Sequence, residues 1–377
     1  MKRRPPGRPK ASSTKARRTA SSLPRQASAG SAAGLPLLTS RPPLSPFDRW
    51  IRILEASPRA RWSFYLALPA ASIALLLGLS WACGSLPAGQ ISPQLTVTAV
   101  LSIATVGEIH YVMRVAGRCL IRFAPALRAG PAEFDGYHHA FTTAPAWAVV
   151  AGAVGGVAML ALVTTSDPTF FGLLSAGLCP RPAVLLVGWI NSAAFVLATL
   201  LALRYLSLIR RAHAAAPEVN LFERGPLFAF SALSSRMALL FALASYIFVL
   251  AFPSSLENVA AAAYIFGINL PATLVIFVYP LYGMHGRMIE EKQRLLQASG
   301  TRIHAALETL HSDSGGRRSS NPDPHRRLTA LMEEEAYLRK IPTWPWEPGT
   351  LTAVLTAVFL PLMLVVAQQV VSRYFAG

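Results

Sequence analysis

The sequence predicts an all-α fold, a polytopic bundle of about seven transmembrane helices with a cytoplasmic helical hairpin before the last span. Of the 377 residues, 53% are hydrophobic and only 14% are charged, whereas an ordinary soluble domain carries roughly 25% charged residues. Asp, Glu, Lys and Arg are absent from six windows: 62 to 107, 136 to 166, 182 to 203, 237 to 256, 258 to 286 and 348 to 372. Lys and Arg are concentrated in alternate connections between these windows. Together these observations indicate a membrane protein.

The windows set the number of spans. A helix needs roughly 20 apolar residues to cross about 30 Å of hydrocarbon, so the first window has room for two helices and each of the others for one. The predicted spans are about 63 to 83, 94 to 113, 146 to 164, 183 to 203, 228 to 252, 259 to 282 and 351 to 371. The basic segment that begins at Arg114, after the second span, is predicted to be a cytoplasmic loop. The first six form a bundle over 62 to 282, and the seventh lies in 348 to 377 with a short outer C-terminus.

Residues 1 to 45 are rich in Pro, Ser, Ala and Arg and contain no acidic residue. Such a segment buries too little apolar surface to offset its chain entropy, so a disordered basic tail is predicted. We expect the tail to adhere to anionic lipid headgroups, although its composition also fits an organellar transit peptide. The segment from Pro6 to Lys10 resembles a minor-groove-binding hook, but so short a match recurs by chance. Residues 46 to 61 predict an interfacial helix that leads into the first span.

The basic residues also predict the orientation, because Lys and Arg are retained on the cytoplasmic side. With the N-terminus inside, 32 of the 35 Lys and Arg residues lie on the inner side, while the outer side holds Arg181 and Arg373 and Arg236 lies in or near a span. Topology therefore explains the positive charge, and no nucleic-acid partner is expected. The predicted location is the plasma membrane of a bacterium, its inner membrane, or an organellar membrane if the tail is a transit peptide.

Residues 283 to 347 predict a cytoplasmic insertion of two helices. The first continues the sixth span, with apolar residues near helical spacing at Met288, Leu295 or Leu296, Ile303, Leu307 and Leu310. The second follows a connector rich in Gly and Ser and has Leu328, Leu331, Met332 and Leu338 on one side. The two apolar stripes are expected to pack as an antiparallel, coiled-coil-like hairpin. This hairpin is either a structural stalk or a surface, over 284 to 341, for a cytoplasmic partner or for self-association.

Three segments of the C-terminal half resemble an uncharacterised bacterial family of multi-span membrane proteins. They are NLFERGPLFAFSALSSRMAL, which enters the fifth span, YPLYGMHGRMIEEKQRLL, which leaves the sixth, and PTWPWEPGTL before the last. The resemblance covers about 219 to 371. It implies the architecture described above and no assigned activity, and no functional residue carries over from it.

Polar residues inside predicted spans are candidate functional residues, because ionisable groups are costly in a bilayer. They are Glu108, His110, Asn191, Arg236 and Asn269. Glu108 and Arg236 either pair across neighbouring helices or both lie at the inner interface, where Arg236 snorkels. Asn191 and Asn269, the second next to Pro271, either line a substrate path or hydrogen-bond one helix to another.

Small residues and cysteines predict two further contacts. Gly152 and Gly156 have the GxxxG spacing of closely packed membrane helices. Cys83 and Cys179 both fall on the predicted outer face, so a disulfide between them is possible if that face is oxidising. Cys119 falls on the inner side.

No catalytic motif is present in the sequence, so an enzyme is not predicted, and no cofactor is expected. Glu133, Asp135, His138 and His139, with His110, match no zinc-ligand spacing, so no metal site is predicted. The predicted function is a membrane-embedded scaffold or sensory protein that docks a partner through its cytoplasmic hairpin. The alternative is a small-solute transporter or channel that uses the intramembrane polar residues, although no clear inverted repeat is present.

Overall fold

The computed structural model describes residues 43–127, 129–166, 179–217, 220–251, 267–268, 270–313, 324–359 and 363. Within these ranges the chain is helical and contains no β-strand. In chain order we label the helices α1 Pro46–Glu55, α2 Pro58–Ala82, α3 Pro93–Leu127, α4 Pro131–Thr142, α5 Ala146–Ser166, α6 Arg181–Ala215, α7 Arg224–Ala251, α8 Leu270–Asp313, α9 Pro324–Lys340 and α10 Thr350–Phe359.

Five helical stretches of the described residues are long and apolar enough to cross a membrane: Arg61–Ala82, Pro93–Leu127, Pro131–Thr165, Arg181–Ala215 and Gly225–Ile247. The third of these stretches comprises α4 and α5. The all-α class is therefore confirmed, and so is the presence of several helices that are long and apolar enough to span a membrane. Of the predicted sixth span, 259 to 282, the structure describes residues 267–268 and 270–282, the latter as the start of α8. Of the seventh, 351 to 371, it describes residues 351–359, which belong to α10, and residue 363.

The second span was predicted to end near Met113, followed by a loop, but α3 continues to Leu127. The reason is the apolar spacing of the residues beyond the arginine at position 114. Ala116, Leu120, Phe123 and Leu127 recur at helical intervals, and all are buried. The continuation of α3 is thus a core element that carries arginines only on its exposed side.

Residues 46 to 61, predicted as one interfacial helix, divide into α1 and the start of α2. Pro58 ends any continuous helix, because proline removes a backbone donor and restricts the residue before it. Ser45 and Asp48 form a reciprocal capping box at the start of α1. Asp48 Oδ1 also accepts a hydrogen bond of 2.9 Å from the backbone N–H of Ala144, which joins α1 to the start of α5.

The centre of the bundle is built by α3, α6 and α7, and α5 lies against α6 at its periphery. α5 packs along α6, and α3 packs against both α6 and α7. Gly152 and Gly156 both face α6, as their spacing predicts. The rings of Phe123 on α3, Phe141 on α4 and Phe230 on α7 are fully buried. The ring of Phe230 contacts both of the others and so fills the core between these three helices.

α8 has 44 residues, far more than are needed to span a bilayer, and α9 packs against it. Met288 and Leu338 are buried, as the apolar pattern predicts. Leu307 and Met332 were predicted to lie on the buried side, but they are 38% and 57% exposed. Two helices bury only a narrow stripe of each against the other, so residues at the edges of the predicted stripes remain in solvent.

Candidate functional site

Aromatic side chains in the first half of α8 stack on the Trp-Pro-Trp segment that precedes α10. The ring of His285 lies 3.8 Å from that of Trp344, centroid to centroid, and Trp344 lies 4.4 Å from Trp346. Trp346 in turn stacks on Phe277 at 5.5 Å, and His285 Nδ1 is 2.9 Å from the carbonyl oxygen of Thr343. These stacked rings fix the end of the insertion to α8.

The C-terminal end of α9 is held by a lysine from α8. Lys292 Nζ donates hydrogen bonds of 2.7 Å to the carbonyl oxygens of Arg339 and Ile341. A cation is favourable there, because the last carbonyls of a helix have no intrahelical partners and carry partial negative charge. Farther along, Arg302 forms an ion pair of 3.2 Å with Glu334. The two helices are therefore fixed to each other at two separate points.

Arg287 fixes α8 to the end of α6. Its guanidinium donates to the carbonyl oxygens of His213 and Ala216, the second at 2.5 Å. The buried imidazole of His213 lies edge-on to the rings of Phe123 and Phe230. The carbonyl oxygens at the end of α6 therefore bind the guanidinium of Arg287 on α8.

An exposed aromatic pair is formed between the turn before α7 and the solvent-exposed side of α9. The rings of Phe222 and Tyr337 are stacked with an interplanar angle of 3° and a centroid distance of 6.5 Å. They are 60% and 53% exposed. Asn220 stabilises the turn that presents Phe222, since its Oδ1 accepts the Phe222 N–H at 3.0 Å. Phe222 also lines a cavity of about 550 Å³ between this turn, the end of α3 and α8.

A second cavity, of about 610 Å³, lies between α1, α3 and α4. On its wall the buried ring of His110 bridges two helices, with the Tyr65 hydroxyl 2.9 Å from Nδ1 and Glu55 Oε1 3.1 Å from Nε2. A carboxylate only accepts hydrogen bonds, so Nε2 carries a proton, and in the neutral ring Nδ1 accepts from Tyr65. Arg114 Nε lies 3.7 Å from the same Glu55 oxygen.

This His110 network connects α1, α2 and α3, so its observed role is to bind α1 to the bundle. Asp135, His138 and His139 from α4 line the same cavity, whereas Glu133 is not among its lining residues. In the described part of the chain, no three His, Cys, Asp or Glu side chains are close enough to share a metal ion.

The structure does not bring Glu108 and Arg236 together. Glu108 lines a small apolar cavity of about 30 Å³ between α3, α6, α7 and α8. Arg236 is exposed, with its guanidinium carbon 6.0 Å from the ring centre of Tyr111. Among the described residues, neither side chain has an ion-pair partner. The paired arrangement considered from the sequence is therefore not the one observed.

The two asparagine candidates are not placed at a shared site. Asn191 is half-buried on α6, and its side chain makes no hydrogen bond to any residue within the described ranges. Asn269 lies outside the described residues. The intramembrane polar residues predicted from the sequence thus remain separate from one another in the described part of the bundle.

Cys83 follows α2 and Cys179 precedes α6, and a disulfide joins them with a Cα separation of 6.1 Å. That separation lies within the range usual for disulfides. Cys119 is buried in α3 with a free thiol. The covalent link ties together the ends of two helices that are 96 residues apart in sequence.

We expect peptide mass spectrometry under non-reducing conditions to recover Cys83 and Cys179 in one linked pair. Cys119 should be alkylated only after unfolding, because its side chain is buried. Efficient alkylation of Cys83 and Cys179 in the folded, non-reduced protein is the contrary result. It would place both residues in a reducing compartment and reverse the predicted orientation.

Sequence reasoning missed the two contacts that best define possible sites. Glu55 and His110 are 55 residues apart. Phe222 lies in the turn before α7, whereas Tyr337 lies on α9. For the second contact, the sequence offered no signal, because Tyr337 lies outside the three resembling segments. For the first contact, the sequence offered only a histidine within an apolar helix.

The chain matches no protein-family model, no curated protein and no solved structure.

Proposed function

We propose that this chain is a membrane-embedded scaffold or sensory protein that docks a cytoplasmic partner through α8 and α9. One observation carries the proposal: the stacked rings of Tyr337 on α9 and of Phe222 in the turn before α7 are both more than half exposed, and α9 is fixed to the bundle through α8. Large aromatic side chains on a rigid support are typical anchors of protein interfaces, because little conformational freedom is lost on binding.

The rigidity of the support favours docking over a flexible tether. Arg287 binds α8 to α6, and Lys292 binds α9 to α8. The stack of His285 and Trp344 fixes the segment after α9. A partner bound at Tyr337 therefore acts on the bundle through packed contacts, as a sensory protein requires.

The cytoplasmic location is part of the proposal and rests on the distribution of basic residues. The described helices α8 and α9 form the antiparallel hairpin in this proposal, with the N-terminus inside, seven spans in all and a bacterial inner membrane as the location. The resemblance over 219 to 371 supports the same architecture. Self-association is included as a form of docking, with a second copy as the partner.

Transport is less well supported. The cavity at Glu108 measures about 30 Å³, whereas small-molecule sites typically measure about 300 to 1,000 Å³. It is large enough for one or two water molecules and too small for a solute. Arg236, the other charged candidate, is at the surface of the described bundle and contributes nothing to this cavity.

The proposal is tested by replacing Tyr337 with the photoreactive aromatic residue p-benzoylphenylalanine in the full chain. On irradiation of native membranes we expect a discrete adduct with one other polypeptide, identified by mass spectrometry, because the ring faces a bound partner. Adding Phe222→Ala should lower the adduct yield at least fivefold, because it removes the ring that orients residue 337.

The matched control carries the same photoreactive residue at His325, which is exposed near the start of α9. An adduct formed equally from both positions indicates random collision and contradicts the proposal. Absence of any adduct from position 337 also contradicts it. An adduct of two identical chains identifies the partner as a second copy.

A further inference from the structure

We infer that the docked partner presents a basic amphipathic helix, which is an inference that rests on the proposed function. The binding surface is formed by Phe222, Glu223, Glu290, Glu333 and Tyr337, and we call it the acidic–aromatic surface. Its carboxylates select the charge of the partner, and its two rings accept the apolar side of the partner.

The cavity beside Phe222 carries unpaired negative charge. Glu223 and Glu290 both line it and are exposed. Neither carboxylate forms an ion pair or hydrogen bond with any residue in the described part of the chain. A bound partner can therefore supply cations without first breaking an internal contact.

The two arginines that line the cavity, Arg287 and Arg294, form no ion pair with these two carboxylates. Arg287 is committed to the carbonyl oxygens at the end of α6. Arg294 is committed to Glu291, with Nη2 at 3.0 Å from its Oε1. The cavity is thus lined by three carboxylates and two guanidiniums, and the carboxylates of Glu223 and Glu290 are the ones without partners among the described residues. This difference favours a positively charged occupant.

The same pattern continues on α9. Glu334 is paired with Arg302, and Glu335 with Arg339. Glu333 is exposed and unpaired within the described ranges, and it lies one helical turn before Tyr337. An unpaired carboxylate thus accompanies the aromatic pair on the α9 side as well as on the cavity side.

The rings and carboxylates together define the partner's pattern. The faces of Phe222 and Tyr337 accept aliphatic side chains and also attract Lys or Arg through cation–π contacts. A helix with aliphatic residues on one side and basic residues at its borders satisfies both requirements. A partner helix with acidic borders would be repelled by three carboxylates.

The test uses the full chain in nanodiscs of zwitterionic phosphatidylcholine and a labelled 18-residue model peptide with a helical pattern of Leu and Lys. Binding is measured by fluorescence anisotropy against empty nanodiscs. We expect saturable binding that weakens in 0.5 M salt, and no binding of the same peptide with Glu in place of Lys. The double variant Glu223→Gln with Glu290→Gln should bind the Lys peptide at least tenfold more weakly.

A matched double variant, Glu308→Gln with Glu347→Gln, removes the same charge elsewhere on exposed positions. It should change the dissociation constant less than twofold. Equal weakening by the two double variants, equal binding of the two peptides, or no binding by the unaltered chain overturns the inference. Thermal melting of each variant in nanodiscs checks that the fold is retained.

The two proposals fail in different experiments. If residue 337 crosslinks to a partner in membranes but the Lys peptide does not bind, the docking function is supported and the inference of a basic helix is wrong. If the peptide binds as expected but no crosslinked partner forms, the surface has the inferred chemistry and the docking function is wrong.

Discussion

We expect Gly156→Ala to destabilise the bundle by about 1 to 3 kcal/mol, the usual range for inserting a group into a packed core. A Cβ atom at this position would lie 2.6 Å from both the Cα and N atoms of Ala193 and 2.8 Å from its Cβ. Backbone atoms cannot move aside as a flexible side chain can, so α5 and α6 must separate. The loss is measured as a lower Tm and a lower fraction of monodisperse protein in detergent.

The control is Gly78→Ala in α2, where an added Cβ has no heavy atom within 4 Å. This change should be neutral or stabilising by up to about 1 kcal/mol, since alanine is the better helix former. If the variants at Gly156 and Gly78 melt at the same temperature, the close packing of α5 on α6 is wrong.

We expect Asp48→Ala to produce the second large effect, a loss of about 2 to 4 kcal/mol. The change removes the acceptor for the Ser45 N–H and hydroxyl, and it ends the capping box of α1. It also leaves the fully buried backbone N–H of Ala144 without its partner, and such an orphaned donor costs about 1 to 3 kcal/mol. The expected readout is a lower Tm together with faster amide exchange throughout α1.

Two variants make this measurement specific. Arg49→Ala alters the exposed neighbour on the same helix and should change Tm little. Asp48→Asn retains an oxygen acceptor for the Ala144 N–H, so its Tm should lie between that of the Asp48→Ala variant and that of the unaltered chain. If the Asp48→Ala variant has the same Tm and the same amide-exchange rates in α1 as the Arg49→Ala variant, the contact between Asp48 and Ala144 does not hold α1 on the bundle.

The elements that could be predicted from sequence are those defined by local composition. The third span was predicted at 146 to 164 and is observed as Ala146–Ser166. The small residues within it predicted close helix packing, which α6 provides at Gly152 and Gly156. Small residues at these positions let the two helix backbones approach closely, which is a main source of helix–helix packing in lipid.

Helix ends were harder to predict where a span continues beyond the membrane. Arg114 was interpreted as the start of a loop, although α3 continues to Leu127. Hydropathy decreases at such a point while helical periodicity persists, and only the second property reports continued packing. The same reasoning applies to α6, which was predicted to end near Leu203 and ends at Ala215.

The residues of a site depend on which helices become neighbours and on how each is rotated about its axis. Glu108 and His110 are two positions apart on α3 and therefore face different directions. His110 meets Glu55 and Tyr65, whereas Glu108 faces an apolar cavity. Their shared location in one span gave no indication of this separation.

By itself, the sequence determined that the protein is helical and membrane-spanning, because long uncharged windows are compatible with few other states. It also indicated which segments pack closely and where two cysteines share a face. Only the tertiary structure decided that Phe222 stacks on Tyr337, that Lys292 binds the end of α9 and that Glu108 has no partner among the described residues. These contacts join distant segments, and their geometry follows from helix rotation and packing, which hydropathy does not encode.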